Sequence, residues 1–106
     1  MEQELERWLP IQDWPDYEVS NLGRIKSHHN RSYKNHILRP VFTTRNGYMK
    51  VTLCYNRIRR DVLVHRIVAT AFLRPPKAGE EANHKNLDKV DNRAINLEWV
   101  TRAENA

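Results

Sequence analysis

The chain has 106 residues, 40% of them hydrophobic, with a mean hydropathy of −0.80 and a formal net charge of +5. That size suits one domain or two small lobes with a modest core, to which three Trp, four Tyr and two Phe contribute much of the apolar surface. No apolar run reaches the roughly 20 residues of a membrane span, the acidic opening MEQELERWLP lacks a signal-peptide core, and a lone cysteine, Cys54, excludes an internal disulfide; a cytoplasmic setting is the expectation.

Residues 7 to 20, RWLPIQDWPDYEVS, mix aromatics with Pro10 and Pro15, which rules out one long helix. Tyr17–Ser20 and Arg24–Ser27 read as short strands joined at Asn21-Leu22-Gly23, where glycine supplies positive φ. Residues 28 to 36 are polar and loop-like. Ile37 to Val41 reads as a further short strand, placed at a sheet edge by Pro40. Asn46-Gly47 is a two-residue turn signal, and after it Met49, Val51, Leu53 and Tyr55 alternate with polar neighbours at strand period. Asn56-Arg57 forms a second turn, and Arg59 to Val64 returns as a strand, so residues 17 to 64 are expected to form a small antiparallel sheet.

The period then changes. Val64, Ile67, Val68, Ala71 and Phe72 share one side of a helix that Pro75-Pro76 stops. Lys77 to Glu81 reads as a connector, Ala82 to His84 as a strand, 85 to 95 as a loop and Leu97 to Val100 as a second strand. Thr101 and Glu104 have capping-box spacing, so a helix is expected to begin at Thr101. The expected class is α+β, with a basic β-sheet lobe over residues 1–63 and a helix-and-ββα lobe over 64–106 whose last helix looks truncated.

Charge is unevenly distributed. Six of the thirteen acids lie in the first 18 residues, whereas Arg24 to Arg60 holds ten Lys or Arg and no acid. Such a bias creates a positive field suited to phosphate. The expected contacts come from Arg24, Lys26, Arg31, Lys34, Arg39, Arg45, Lys50, Arg57, Arg59 and Arg60. Charge alone does not separate DNA from RNA. The histidines His28, His29 and His36 have no acid or cysteine among their near sequence neighbours and read as exposed or phosphate-facing rather than metal-binding.

The densest chemistry lies in ANHKNLDKVDNRAINLEWV at 82 to 100. Asparagine is a poor core residue, so this run is either a surface loop or a site that needs fixed amide dipoles. Its glycine and glutamate spacing does not fit an EF-hand loop. Three stretches, VHRIVATAF at 64 to 72, NHKNLDKVDNRAINLEWVT at 83 to 101 and the closing RAENA, resemble the HNH endonucleases of the ββα-metal (His-Me finger) fold. Upstream, WLPIQDWPDYEVSNLGRIKS at 8 to 27 is similar to the nuclease-associated modular domain that precedes such nucleases in phage and homing enzymes.

The resemblance implies hydrolysis of phosphodiester bonds in double-stranded DNA. It makes His84 the general base and Asn96, twelve residues later, the amide that holds its ring. It places Asn83 and Asn105 at one divalent cation, Mg²⁺ with Mn²⁺ able to substitute. At Asn83 relatives often carry aspartate and at Asn105 many carry histidine, so weaker metal binding is expected here. His65-Arg66 is a recurrent element, read either as a phosphate contact or as support for the site. The residue chemistry agrees: a neutral histidine can take a proton from water near pH 7, and one hard cation can stabilise the phosphate and leaving oxygen. One site per chain implies nicking of a single strand. A homodimer, or a partner chain completing the last helix, is the expected accompaniment. The competing readings are a DNA-binding module with an incomplete nuclease site and, more weakly, a transcription regulator, for which no helix-turn-helix pattern is visible.

Overall fold

A computed structural model describes residues 4–28 and 36–105, for Asn105 the backbone alone. Strands β1 (Trp8–Ile11), β2 (Trp14–Ser20), β3 (Ile25–Ser27) and β4 (His36–Ile37) form an antiparallel sheet in that order. A second antiparallel sheet holds β5 (Val41–Phe42), β6 (Met49–Tyr55) and β7 (Ile58–Leu63). Helix α1 (Val64–Phe72) follows, then the hairpin of β8 (Glu80–His84) and β9 (Leu97–Thr101), and α2 (Arg102–Asn105).

The α+β class stands, but the expected single sheet is two. Proline explains the difference. Pro40 has no N–H for a ladder, and the chain changes sheets there: His36–Ile37 pairs with β3, whereas Val41–Phe42 pairs with β6. The strand expected over 37 to 41 is therefore split. Strand β1 had no counterpart in the sequence reading. Pro10 is accommodated because β1 is an edge strand, and the register slips between Pro10 and Ile11.

Local chemistry accounts for the rest. Asn56 and Arg57 both take left-handed φ, 50° and 64°, between the paired Tyr55 and Ile58, which is the two-residue turn that suits strand twist. In α1 the apolar face buries Val64, Val68 and Ala69, with Ile67, Ala71 and Phe72 packed alongside. The capping box is made reciprocally: Thr101 N donates to Glu104 Oε1 (2.8 Å) and Glu104 N to Thr101 Oγ1 (3.3 Å). Strand β8 starts at Glu80, inside the expected connector, because Arg74 clasps the Glu80 carboxylate (2.7 and 2.8 Å) while Lys77 N donates to it (2.6 Å).

One core joins these parts. Ile11, Tyr17, Val19 and Ile25 from the first sheet meet Val51 and Leu53 from the second, Val64, Val68 and Ala69 from α1, and Leu97 from β9. Tyr17 Oη, buried between the sheets, accepts from Cys54 N at 3.0 Å. Truncating the fully buried Leu53 would leave a cavity in this core, at a cost of about 2–5 kcal/mol. The helix thus holds the β8–β9 hairpin against both sheets.

Candidate nuclease site

His84 is the last residue of β8, paired with Leu97 and only 4% exposed. Its Nε2 lies 2.7 Å from Asn92 Oδ1. An amide oxygen only accepts, so in the neutral ring Nε2 carries the hydrogen and Nδ1 the lone pair. Asn92, itself 7% exposed, therefore selects the tautomer.

The sequence reading gave that task to Asn96, and the geometry assigns it elsewhere. Asn96 Nδ2 donates to Asn86 Oδ1 and to Asp91 O, both at 2.9 Å, while its Oδ1 accepts from Asn86 N at 3.1 Å. Its side chain bonds across the loop but not to the ring. The reason is position: Asn96 closes the short 3₁₀ turn Ala94–Asn96 just below β9, so its amide reaches the loop that starts at Lys85. Asn86 continues the network to Asp88 N (2.8 Å) and Asp91 Oδ2 (3.0 Å). Arg93 grips Asp91 through two bonds of 2.7 Å, which with Asn86 and the backbone holds the Asp91 carboxyl down at about 2. The asparagines thus fix a loop that has no ladder of its own.

Two more rings flank His84. His65 from α1 stacks on His84 at 4.7 Å and 26°, and Tyr48, just before β6, stacks on His65 at 4.8 Å and 11°. Burial, helped by the charge of His84 and opposed by the Ala82 backbone, pushes His65 down to about 4, and its buried Nδ1 has no partner among the described residues. At 5% exposure and uncharged at neutral pH, His65 is not a phosphate contact, which corrects one of the two expected roles and leaves the supporting one. Arg66 is exposed, with its guanidinium 5.7 Å from the Trp99 ring.

Asn83 lies opposite Glu98 across the hairpin, and its Nδ2 donates to Glu98 Oε2 at 2.9 Å. The amide is thereby oriented with Oδ1 left for a hard cation, and a carboxylate stands beside it. These oxygen donors fit Mg²⁺, which keeps few protein ligands and several waters. The side chain of Asn105 lies outside the described residues. Among those described, no three His, Cys, Asp or Glu residues cluster as a metal cage.

The basic residues are distributed less simply than the sequence suggests. The acidic N-terminal segment folds back, so that Glu6 holds the Arg24 guanidinium (Nε to Oε2, 2.8 Å). Lys26 Nζ sits 3.9 Å from the centre of the Trp8 ring, and Lys50 is paired with Asp61 at 3.0 Å. Arg39, Arg45, Arg57, Arg59 and Arg60 are exposed. Arg31 and Lys34 lie outside the described residues, as does His29. The fold gives His28 an acid partner that its sequence neighbours do not, setting its Nε2 2.6 Å from Glu18 Oε1.

Residues 62–106 match the family model of HNH endonucleases, and residues 6–54 match the NUMOD4 motif. Residues 62–106 belong to the HNH endonuclease family. Two HNH endonucleases of Acanthamoeba polyphaga mimivirus are 34% and 36% identical over 94% and 96% of this chain, which spans 28% and 25% of their length. The DNA endonuclease I-HmuI of Bacillus phage SP01 is 30% identical over 92% of the chain, which spans 54% of it. A solved structure titled for DNA binding and cleavage by the HNH homing endonuclease I-HmuI superposes with a TM-score of 0.82 at 31% identity, covering 93% of this chain and 55% of that one. The chain therefore spans about half of its phage relative and about a quarter of the viral ones.

Sequence reasoning missed Asn92, Glu98 and Tyr48. Glu98 was within reach of it, since pairing His84 with Leu97 sets Asn83 opposite Glu98. Tyr48 carried no signal, being brought in only by the packing of the second sheet on α1.

Proposed function

We propose that this chain cuts DNA as a metal-dependent HNH endonuclease, with His84 as general base. The observation that carries this reading is the bond from His84 Nε2 to Asn92 Oδ1, which leaves the Nδ1 lone pair to receive a proton. Water loses that proton to Nδ1 as its oxygen bonds to phosphorus, and the bond to the 3′ oxygen breaks. The stacked His65 ring covers one face of His84 and keeps bulk water from it. Asn83, with Glu98 behind it, and Asn105 would hold one divalent cation, Mg²⁺ or Mn²⁺. When bound, that ion stabilises charge on the scissile phosphate and the leaving oxygen. The exposed arginines Arg39, Arg45, Arg57, Arg59 and Arg60 supply phosphate contacts to the duplex. One site per chain makes the product a nick.

A supercoiled plasmid incubated with the protein and Mg²⁺ or Mn²⁺ tests this. Nicked circle is expected first, with loss of cutting in EDTA and in His84→Ala, which still binds DNA. Linear product forming as fast as nicked circle would reject single-strand cleavage. Binding without cutting under every divalent metal would instead support a DNA-binding module, a reading favoured by the neutral amides at both Asn83 and Asn105.

A further inference from the structure

A turn from the first sheet reaches the back of this site. Asn21-Leu22-Gly23 is closed by Ser20 N donating to Arg24 O (2.8 Å) and braced by Ser20 Oγ, which accepts from Leu22 N (3.2 Å) and Arg24 N (3.1 Å). Asn21 is fully buried. Its Oδ1 accepts from Arg7 N (2.6 Å), and its Nδ2 donates to Glu4 Oε1 (2.9 Å) and Leu5 O (3.0 Å). With its side chain tied to the N-terminal segment, Asn21 offers its backbone oxygen to Ala94 N, 2.8 Å away, at the start of the 3₁₀ turn.

Gly23 makes the second contact. It holds φ +92°, and a Cβ built on it would lie 3.0 Å from both the Cβ and the backbone oxygen of Asn92. The obstacle is main chain rather than a flexible tip, so only a residue without Cβ permits the approach. Asn92 is thus gripped from behind at the residue whose amide oxygen meets the His84 ring.

We propose that this turn is a positioning element of the nuclease site: Gly23 and Asn21 set where Asn92 sits, and Asn92 sets the orientation and tautomer of His84. The inference rests on His84 being the base, yet concerns how its ring is held. The regions that match two separate family models then work as one mechanical unit, with part of the catalytic support encoded some sixty residues ahead of the histidine.

Two variants of the full chain test it. Gly23→Ala presses on Asn92. Ala94→Pro removes the N–H given to Asn21 at the first position of a helical turn, where proline is tolerated and where Arg93 already has an extended backbone (φ −66°, ψ 140°). Long-range ¹H–¹⁵N spectra of ¹⁵N-histidine protein report the tautomer. The unaltered chain should show His84 protonated at Nε2. Both variants should move those ring shifts toward a tautomer mixture and slow nicking about 10- to 100-fold, without changing DNA affinity measured in EDTA. Neither should slow an Asn92→Ala protein further, because the path runs through that side chain. Ring shifts at unaltered values in the folded variants, or losses that multiply with Asn92→Ala, would overturn the proposal. Should Gly23→Ala fail to fold, Ala94→Pro decides. Should the unaltered chain cut no DNA, the nuclease reading fails, while the ring shifts still test the mechanical link.

Discussion

Replacing His65 by phenylalanine keeps a flat ring packed against both Tyr48 and His84, which also face each other at 5.9 Å, but removes the titrating nitrogens. Because burial holds the folded His65 at about 4 against 6.5 when unfolded, protonation favours the unfolded chain. Its contribution to stability is intact above pH 6.5 and is lost as the pH falls toward 4. The loss attributable to this one ring is about 1.4 kcal/mol at pH 5.5 and about 3 kcal/mol at pH 4. At pH 7.5 the substitution removes the buried Nδ1, which no described group meets within hydrogen-bond distance, so it should change stability by no more than about 1 kcal/mol. Urea unfolding followed by far-UV circular dichroism at pH 7.5, 5.5 and 4.5 measures the difference. The variant should be close to the unaltered chain at pH 7.5 and gain on it steadily as acid is added. Stability profiles that run parallel from pH 7.5 to 4.5 would refute the argument, since other carboxylates and histidines titrate equally in both proteins.

Three further outcomes are expected. Asn83→Asp sets a carboxylate against Glu98 in place of the amide donor, so the apo protein should melt lower and recover with Mn²⁺, a rescue that calorimetry detects as a metal-dependent rise in Tm larger than that of the unaltered chain. Converting Arg57, Arg59 and Arg60 to alanine should flatten the dependence of DNA affinity on salt, by about 0.9 in log–log slope for each phosphate no longer neutralised; an unchanged slope would remove these residues from the interface. Asn96→Leu strips three part-buried hydrogen bonds and leaves Asn86 N and Asp91 O without their partner, costing about 1 kcal/mol for each, and hydrogen exchange across residues 85 to 93 should accelerate.

Much of the architecture could be read directly from local chemistry. The Asn56-Arg57 turn, the Thr101–Glu104 box and the apolar face of α1 depend on neighbours within a few residues, and each formed where expected. Burial of His65 was not legible, because the apolar positions read for α1 left it out; it joins the enclosed side together with Ala69, one turn on. The division into two sheets was not, since Pro40 reads as an edge marker whether the strand continues or the chain departs. Ring orientation depended on the path of an irregular loop. Eight residues separate His84 from Asn92, and several asparagines compete for one bond, so their spacing could not choose between Asn92 and Asn96. The pairing of Glu6 with Arg24 joins positions eighteen apart and escapes any reading of charge by segment.

The Trp8 indole lies beneath the Lys26 ammonium, with the Arg24 guanidinium 5.5 Å from the same ring. Indole emission responds to nearby cations, so the fold carries its own optical probe. A polyanion that draws either side chain off the ring will change the fluorescence of Trp8, reporting engagement of this face in real time and without an attached dye.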